Sequence, residues 1–322
     1  MTPKETNSST GTNAPNGGLF IDGYYTPGGV KIYSSLSFNL AGFDPTNDDP
    51  HTQDALRKYR DRGREIMSEN SEDALTWSFF HAASKLPTKD WLVDFFRASV
   101  GDRYAKAYAP FADKAVIRFW VPHPSPQVYL DWIGAKVLKE GEGCISHLER
   151  YDSKVRARKR LAKIMQGDPE ELPERSTEVD VEIRLSKELL VFVEVKLFSD
   201  ASPSGTFNPT RNQLVRNMEL LEHAARREGF KDWRFILLTL DRTTDKLYTR
   251  LMKRYRNADG RLLRQWHEVG NWQALKEDLP HRASEPDTYF QDMSRRLGWI
   301  MWPDCWKLLA HYATTQGSLC KP

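Results

Sequence analysis

Two charges stand inside one of the most apolar stretches of this chain. In Leu-Leu-Val-Phe-Val-Glu-Val-Lys-Leu-Phe, residues 189–198, Glu194 and Lys196 lie two positions apart. In a strand they share a face with Phe192, while Val193, Val195 and Leu197 take the other. Burying either charge alone is costly, and even as a pair they stabilise a fold no better than packed apolar side chains of similar size. Asp180, fourteen residues before Glu194, reaches the same side if the intervening turn sets the register suitably. Two carboxylates and an ammonium suit a hard cation. Mg²⁺ prefers oxygen ligands, keeps several waters, and is commonly held by one or two carboxylates together with substrate phosphate oxygens. A cation so held lowers the pKa of its water and polarises a phosphoryl group, and a neighbouring lysine orients or deprotonates the nucleophile and offsets charge growing on phosphorus. The chemistry these residues point to is metal-assisted phosphodiester hydrolysis, with water attacking in line with the leaving oxygen.

Such a cluster needs strands to hold it, and the flanking pattern predicts them. From Thr177 the apolar period is two: Val179, Val181, Ile183 and Leu185 alternate with Glu178, Asp180, Glu182 and Arg184, as on a half-buried strand. Ser186, Lys187 and Glu188 make a short turn, and the near-continuous apolar run Leu189 to Phe198 reads as a strand covered on both faces, so the pair is a hairpin. Asn208 is expected to cap a following helix with Pro209 at its first position. Leu214, Met218, Leu221 and Ala225 form the apolar stripe of that helix, and Gly229 ends it. Trp233 to Leu240 returns to strand character, which completes a βαβ unit with parallel strands and a right-handed crossover. The fold class is therefore α/β.

Upstream, Leu19 to Phe43 suggests one or two short strands around the Pro27-Gly28-Gly29 turn, and Asp54 to Met67 a charged helix. Ser71 is expected to cap a helix that Pro87 ends, and Trp91 to Tyr108 reads as one further helix. Val116 to Val121 is a short strand broken by the prolines at 122, 124 and 126, which mark the best internal boundary. Gln127 to Glu140 is helical. These signals divide the chain into a disordered tail, 1–18; an N-terminal α/β region, 19–121; and a core with C-terminal helices, 122–322.

At this point the sequence resembles the PD-(D/E)XK, or restriction-endonuclease-like, nuclease superfamily. Thr177-Glu178-Val179-Asp180-Val181 matches its first catalytic strand and Val193-Glu194-Val195-Lys196-Leu197 its second, with Val179 where the superfamily usually has proline. The resemblance covers about Thr177 to Leu240. It implies a mixed central sheet flanked by helices, with Asp180 and Glu194 holding Mg²⁺, for which Mn²⁺ substitutes, and Lys196 assisting hydrolysis. It also implies an acidic residue on a helix ahead of the hairpin. Glu72 is the first choice, Asp73 and Asp131 are alternatives, and a role for Glu72 as mere complement to the helix dipole stays open. On the helix after the lysine strand Gln213 fits the superfamily's polar position, with Arg216 as a phosphate contact. DNA is implied over RNA as substrate by analogy of fold. A catalytically silent nucleic-acid-binding or scaffold protein of the same fold is the alternative, and restriction, phage defence and DNA repair all stay open as roles.

Composition constrains the rest. The chain has 322 residues, 39% hydrophobic and 28% charged, an ordinary globular balance. No stretch approaches the roughly 20 apolar residues of a membrane-spanning helix, and Met1 to Gly18 resembles neither a secretory signal nor a transit peptide. Three widely spaced cysteines, at 144, 305 and 320, offer neither a disulfide framework nor a zinc knuckle, and fit a reducing cytoplasm. The eight histidines show no HExxH or paired-ligand spacing, so a zinc hydrolase lacks its essential parts, and no GxSxG elbow or Walker loop is present, which disfavours an α/β-hydrolase or a self-contained NTPase. Net charge is only +3, so partner choice rests on local runs. Six of the ten residues from Lys154 to Lys163 are cationic, and Lys246 to Arg256 interleaves cations with Tyr248 and Tyr255. Either is a phosphate-contacting surface or a solvated helix face. A homodimer or a partner protein stays open.

Overall fold

The computed structural model describes residues 23–25, 31–33, 40–44, 47–66, 72–86, 89–197, 201–202, 204–240 and 272–315. The expected tail, the cap Ser71, the helix-ending Pro87 and the basic stretch 246–256 lie outside them. The chain forms two compact units, residues 1–85 and 86–322.

In the first unit, strands β1 (Gly23–Tyr25) and β2 (Lys31–Tyr33) pair antiparallel; the expected turn Pro27-Gly28-Gly29 lies outside the described residues. Helix α1 (Pro50–Ile66) starts earlier than the expected Asp54. The reason is local: Asp49 accepts the backbone N–H groups of His51 and Thr52 at 2.9 and 3.1 Å, satisfying donors that a helix start leaves orphaned, and Pro50 suits the first helical position. Helix α2 (Glu72–Ser84) buries Trp77, Phe79, Phe80 and Ala83, and Trp77 meets Phe43 edge-on at 5.9 Å between ring centroids.

The second unit is built on a five-stranded mixed sheet in the order β3-β4-β5-β6-β7. Its strands are β3 (Ala115–His123), β4 (Thr177–Leu185), β5 (Leu189–Lys196), β6 (Asp232–Thr239) and β7 (Leu297–Met301). The first three pair antiparallel, and β5, β6 and β7 run parallel. The boundary expected at 121/122 falls inside β3, because the strand runs on through Pro122. At a sheet edge proline removes no needed ladder bond, and β3 occupies that edge. Before it come α3 (Asp90–Val100) and α4 (Asp102–Tyr108). The single helix expected over 91–108 is broken by Gly101, whose φ of 98° lies in a region that glycine enters at little steric cost.

Helices α5 (Gln127–Glu140) and α6 (Tyr151–Met165) bury Tyr129, Ile133, Val137, Ala157 and Leu161 against Cys144, Ile145 and Phe207 as a satellite core. Helix α7 (Gln213–Glu228) makes the β5–β6 crossover. Its cap is Asn212, which accepts the Val215 N–H at 3.0 Å, not the expected Asn208. Asn208 instead accepts the N–H and hydroxyl of Thr210, a side-chain turn that competes with helix initiation. At the other end Gly229, φ 73°, closes the helix as expected.

One face of the sheet carries Leu190, Phe192, Trp233, Phe235, Leu237, Leu297 and Trp299. It packs on Leu214, Met218, Leu221 and Ala225 of α7, and on α8 (Trp272–Asp278) and α9 (Asp287–Ser294). The opposite face at Gly298 meets α3 so closely that a Cβ there would lie 2.5 Å from a Val100 methyl and 2.8 Å from the Ser99 carbonyl oxygen. A final helix, α10 (Trp302–Thr315), follows β7. Covering on both faces explains why all eight residues of β5 are buried. Among the described residues, no helix is long and apolar enough to cross a membrane.

Candidate active site

The hairpin register decides whether the three candidate residues share a side. Glu182 stands opposite Phe192 and Val181 opposite Val193. Strand alternation therefore puts Asp180 on the same face as Glu194 and Lys196, toward α7. Asp180 lies just beyond the last β4 residue paired with β5, where its carboxylate takes over the ladder's work by accepting the Val195 N–H at 2.7 Å. Across β3 the ladder pairs Phe119 with Val181 and Val121 with Val179 but omits Trp120. That fully buried residue has φ 49°, and a bulky side chain at positive φ is a strained conformation of the kind that clusters at functional sites.

Glu194 is 1% exposed. Its Oε1 lies 2.6 Å from the Lys196 ammonium and also accepts from the Gln213 amide. Its Oε2 accepts from the Asn217 amide at 2.6 Å. Gln213 and Asn217 are one turn apart on α7, so helical spacing aims both at one carboxylate. A carboxylate offers about four lone-pair sites, and these three donors leave one on Oε2. Sequence reasoning missed Asn217; its position four residues after Gln213 was the available signal.

Arg216 also lies on this part of α7, between the two amides. Its Nε is buried without a hydrogen-bond partner. Burial pulls the guanidinium pKa below its ordinary value, against the attraction of Glu174 and Glu194. A half-buried guanidinium whose Nε lacks an acceptor can offer that N–H to an oxyanion.

The other carboxylates of this region are committed elsewhere. Glu182, on the same face as Asp180, accepts from His123 at 2.8 Å and from Arg184. Burial pushes its pKa up, but those two donors outweigh burial and hold it below the usual carboxylate range. Near the start of α7, fully buried Arg211 bridges Glu174 at 3.0 Å and Glu219 at 2.5 Å, with its guanidinium 3.8 Å from the Tyr129 ring centre. Glu219 also takes donors from His281 and Arg282. Burial opposes its ionisation, but the Arg211 charge, with His281 and Arg282, brings its pKa down to about 2.

The remaining candidates lie on other elements. Glu72 opens α2 in the first unit, where its carbonyl accepts the Thr76 hydroxyl at 2.6 Å. Asp73, its alternative, pairs with Lys58 at 3.5 Å, and Asp131 on α5 accepts from Gln127 at 2.7 Å. The basic run 154–163 lies within α6. There Arg158 pairs with Glu142, and Arg160 with Glu171, so part of its charge is offset, while Arg156 and Lys159 stay exposed. Comparison with protein-family models finds no matching model, and comparisons with curated proteins and with solved structures find no match either.

Proposed function

We propose that the chain is a metal-dependent nuclease in which Asp180 and Glu194 hold a hard dication and Lys196 assists water attack on a phosphodiester. The observation that carries this reading is the buried Glu194–Lys196 pair on the sheet face that packs on α7, with Asp180 on that face one strand away and the unpartnered Nε of Arg216 on α7. A buried charge cluster of this kind is a poor device for stability. It is a good one for holding a cation against an anionic substrate. The mixed sheet, the hairpin and the α7 crossover agree with the restriction-endonuclease-like architecture that the sequence resemblance implies.

When bound, Mg²⁺ would supply an activated water and charge neutralisation at phosphorus. The chain's own residues do the rest. The remaining Oε2 lone pair of Glu194 and the carboxylate of Asp180 would hold the ion. Gln213 and Asn217 fix the Glu194 rotamer, as outer hydrogen-bond partners of metal ligands do. Lys196 stands beside Glu194, where its ammonium orients the attacking water. Arg216 donates to a non-bridging phosphate oxygen, which gives its orphaned Nε an acceptor. DNA is the proposed substrate and Mn²⁺ the substitute metal.

The test is plasmid nicking with Mg²⁺ or Mn²⁺. Asp180→Asn, Glu194→Gln and Lys196→Ala are each expected to abolish cutting with circular dichroism unchanged. Arg216→Gln is expected to weaken DNA binding and lower the salt slope of log K by about one. Salt-sensitive binding without cleavage under any metal would replace this reading with that of a silent nucleic-acid-binding protein.

A further inference from the structure

We propose a second metal site, in the first unit, formed by Asp49, His51 and His81 and selective for a transition-metal dication such as Zn²⁺. One ligand atom from each of these residues falls within 4.8 Å of the others. The two Nδ1 atoms of His51 and His81 are 3.3 Å apart. That is long for an N–H hydrogen bond. It matches the edge of a tetrahedron around zinc, since Zn–N bonds of about 2.0–2.1 Å set ligand nitrogens about 3.3–3.4 Å apart.

The local structure holds these groups in place before any ion arrives. Asp49 sits at the start of α1, and its Oδ1 is occupied by the His51 and Thr52 N–H groups. Among the described residues its Oδ2 accepts the Thr52 hydroxyl, at 2.8 Å, which leaves a lone pair for a cation. His81, 4% exposed, stacks on Trp77 one turn earlier in α2, with ring centroids 4.2 Å apart and planes 11° from parallel. The same indole donates to the His51 carbonyl at 2.9 Å. One tryptophan therefore orients one imidazole and anchors the backbone of the other.

The donor set chooses the metal. Imidazole suits Zn²⁺, Cu²⁺, Ni²⁺ and Fe²⁺, whereas Mg²⁺ prefers an all-oxygen shell. Two histidines and one carboxylate leave a fourth position for water. Binding takes both Nδ1 lone pairs, and the one Nδ1 proton shared by the neutral pair moves to an Nε2, so no proton need be lost. The ion would clip the start of α1 to the last turns of α2, joining positions thirty residues apart.

Cobalt titration of the chelator-treated full-length protein tests this. The wild type is expected to take up about one equivalent with the visible bands of a four-coordinate, nitrogen-ligated ion. Zn²⁺ should displace it, excess Mg²⁺ should not, and Zn²⁺ should raise the melting temperature. His51→Ala, or the bulkier His51→Gln, and Asp49→Asn should lose the bands while far-ultraviolet circular dichroism stays unchanged. Glu194→Gln should keep them, which separates this site from the proposed nuclease centre. Absence of bands in the wild type, or their persistence in both His51 variants, would overturn the assignment.

Discussion

If Glu194 and Lys196 serve catalysis and not the fold, substituting them should separate stability from activity. In Lys196→Met the thioether replaces the lysine stem, but Glu194, 1% exposed, loses its ammonium partner. Breaking a buried pair on one side costs about 3–5 kcal/mol. The low end, about 3 kcal/mol, applies here, because the Gln213 and Asn217 amides still donate to the carboxylate. For a unit spanning residues 86–322, that corresponds to a fall of about 6–12 °C in melting temperature. Adding Glu194→Gln removes the stranded charge and keeps an acceptor for Asn217, so the double variant should return to within about 1 kcal/mol of the wild type. Urea denaturation measures the stabilities, and Mg²⁺-dependent plasmid nicking measures activity, which both variants should lack. A double variant as unstable as Lys196→Met would show that the pair holds the fold. Wild-type cutting by either variant would show that it is idle in catalysis.

Stability should also fall on the acid side. The Glu219 pKa is lowered from 4.5 to about 2, so its contribution is complete above pH 4.5 and is lost as pH falls toward 2. The loss is about 3 kcal/mol, and Glu219→Gln should flatten that limb in urea midpoints measured from pH 6 to 2. Gly298→Ala should destabilise by about 1–3 kcal/mol, since the added methyl meets a backbone carbonyl at 2.8 Å; thermal unfolding reads this, and an unchanged melting temperature would mean that α3 and β7 yield freely.

The hairpin was legible because its signal is local. Alternation through 177–185 set the face of β4, a three-residue turn fixed the register, and two charges in an apolar run announced themselves. What failed depended on competition or distance. Asn208 and Asn212 are equally good turn formers, and only packing selects the one that caps α7. The short strand β7, Leu-Gly-Trp-Ile-Met, gives no period long enough to read as a strand. Gly101 inside a helical pattern is compatible with either a continuous helix or a break. The His51–His81 pairing joins the start of one helix to the end of the next, a relation that no ligand-spacing motif encodes. Nothing local in the sequence marks Arg211 and Glu219 for burial, which comes only from their meeting in the fold.

The order of strands bears on how the protein is made. Strand β6 presents seven buried residues out of eight, Trp-Arg-Phe-Ile-Leu-Leu-Thr, and its outer edge pairs with β7, which leaves the ribosome much later. Until then the nascent chain carries a bare, proline-free strand of high β-propensity, the sort of template on which neighbouring polypeptides add. A product truncated ahead of Leu297 would leave that edge bare, so the five residues of β7 cover the stretch most prone to add a foreign strand.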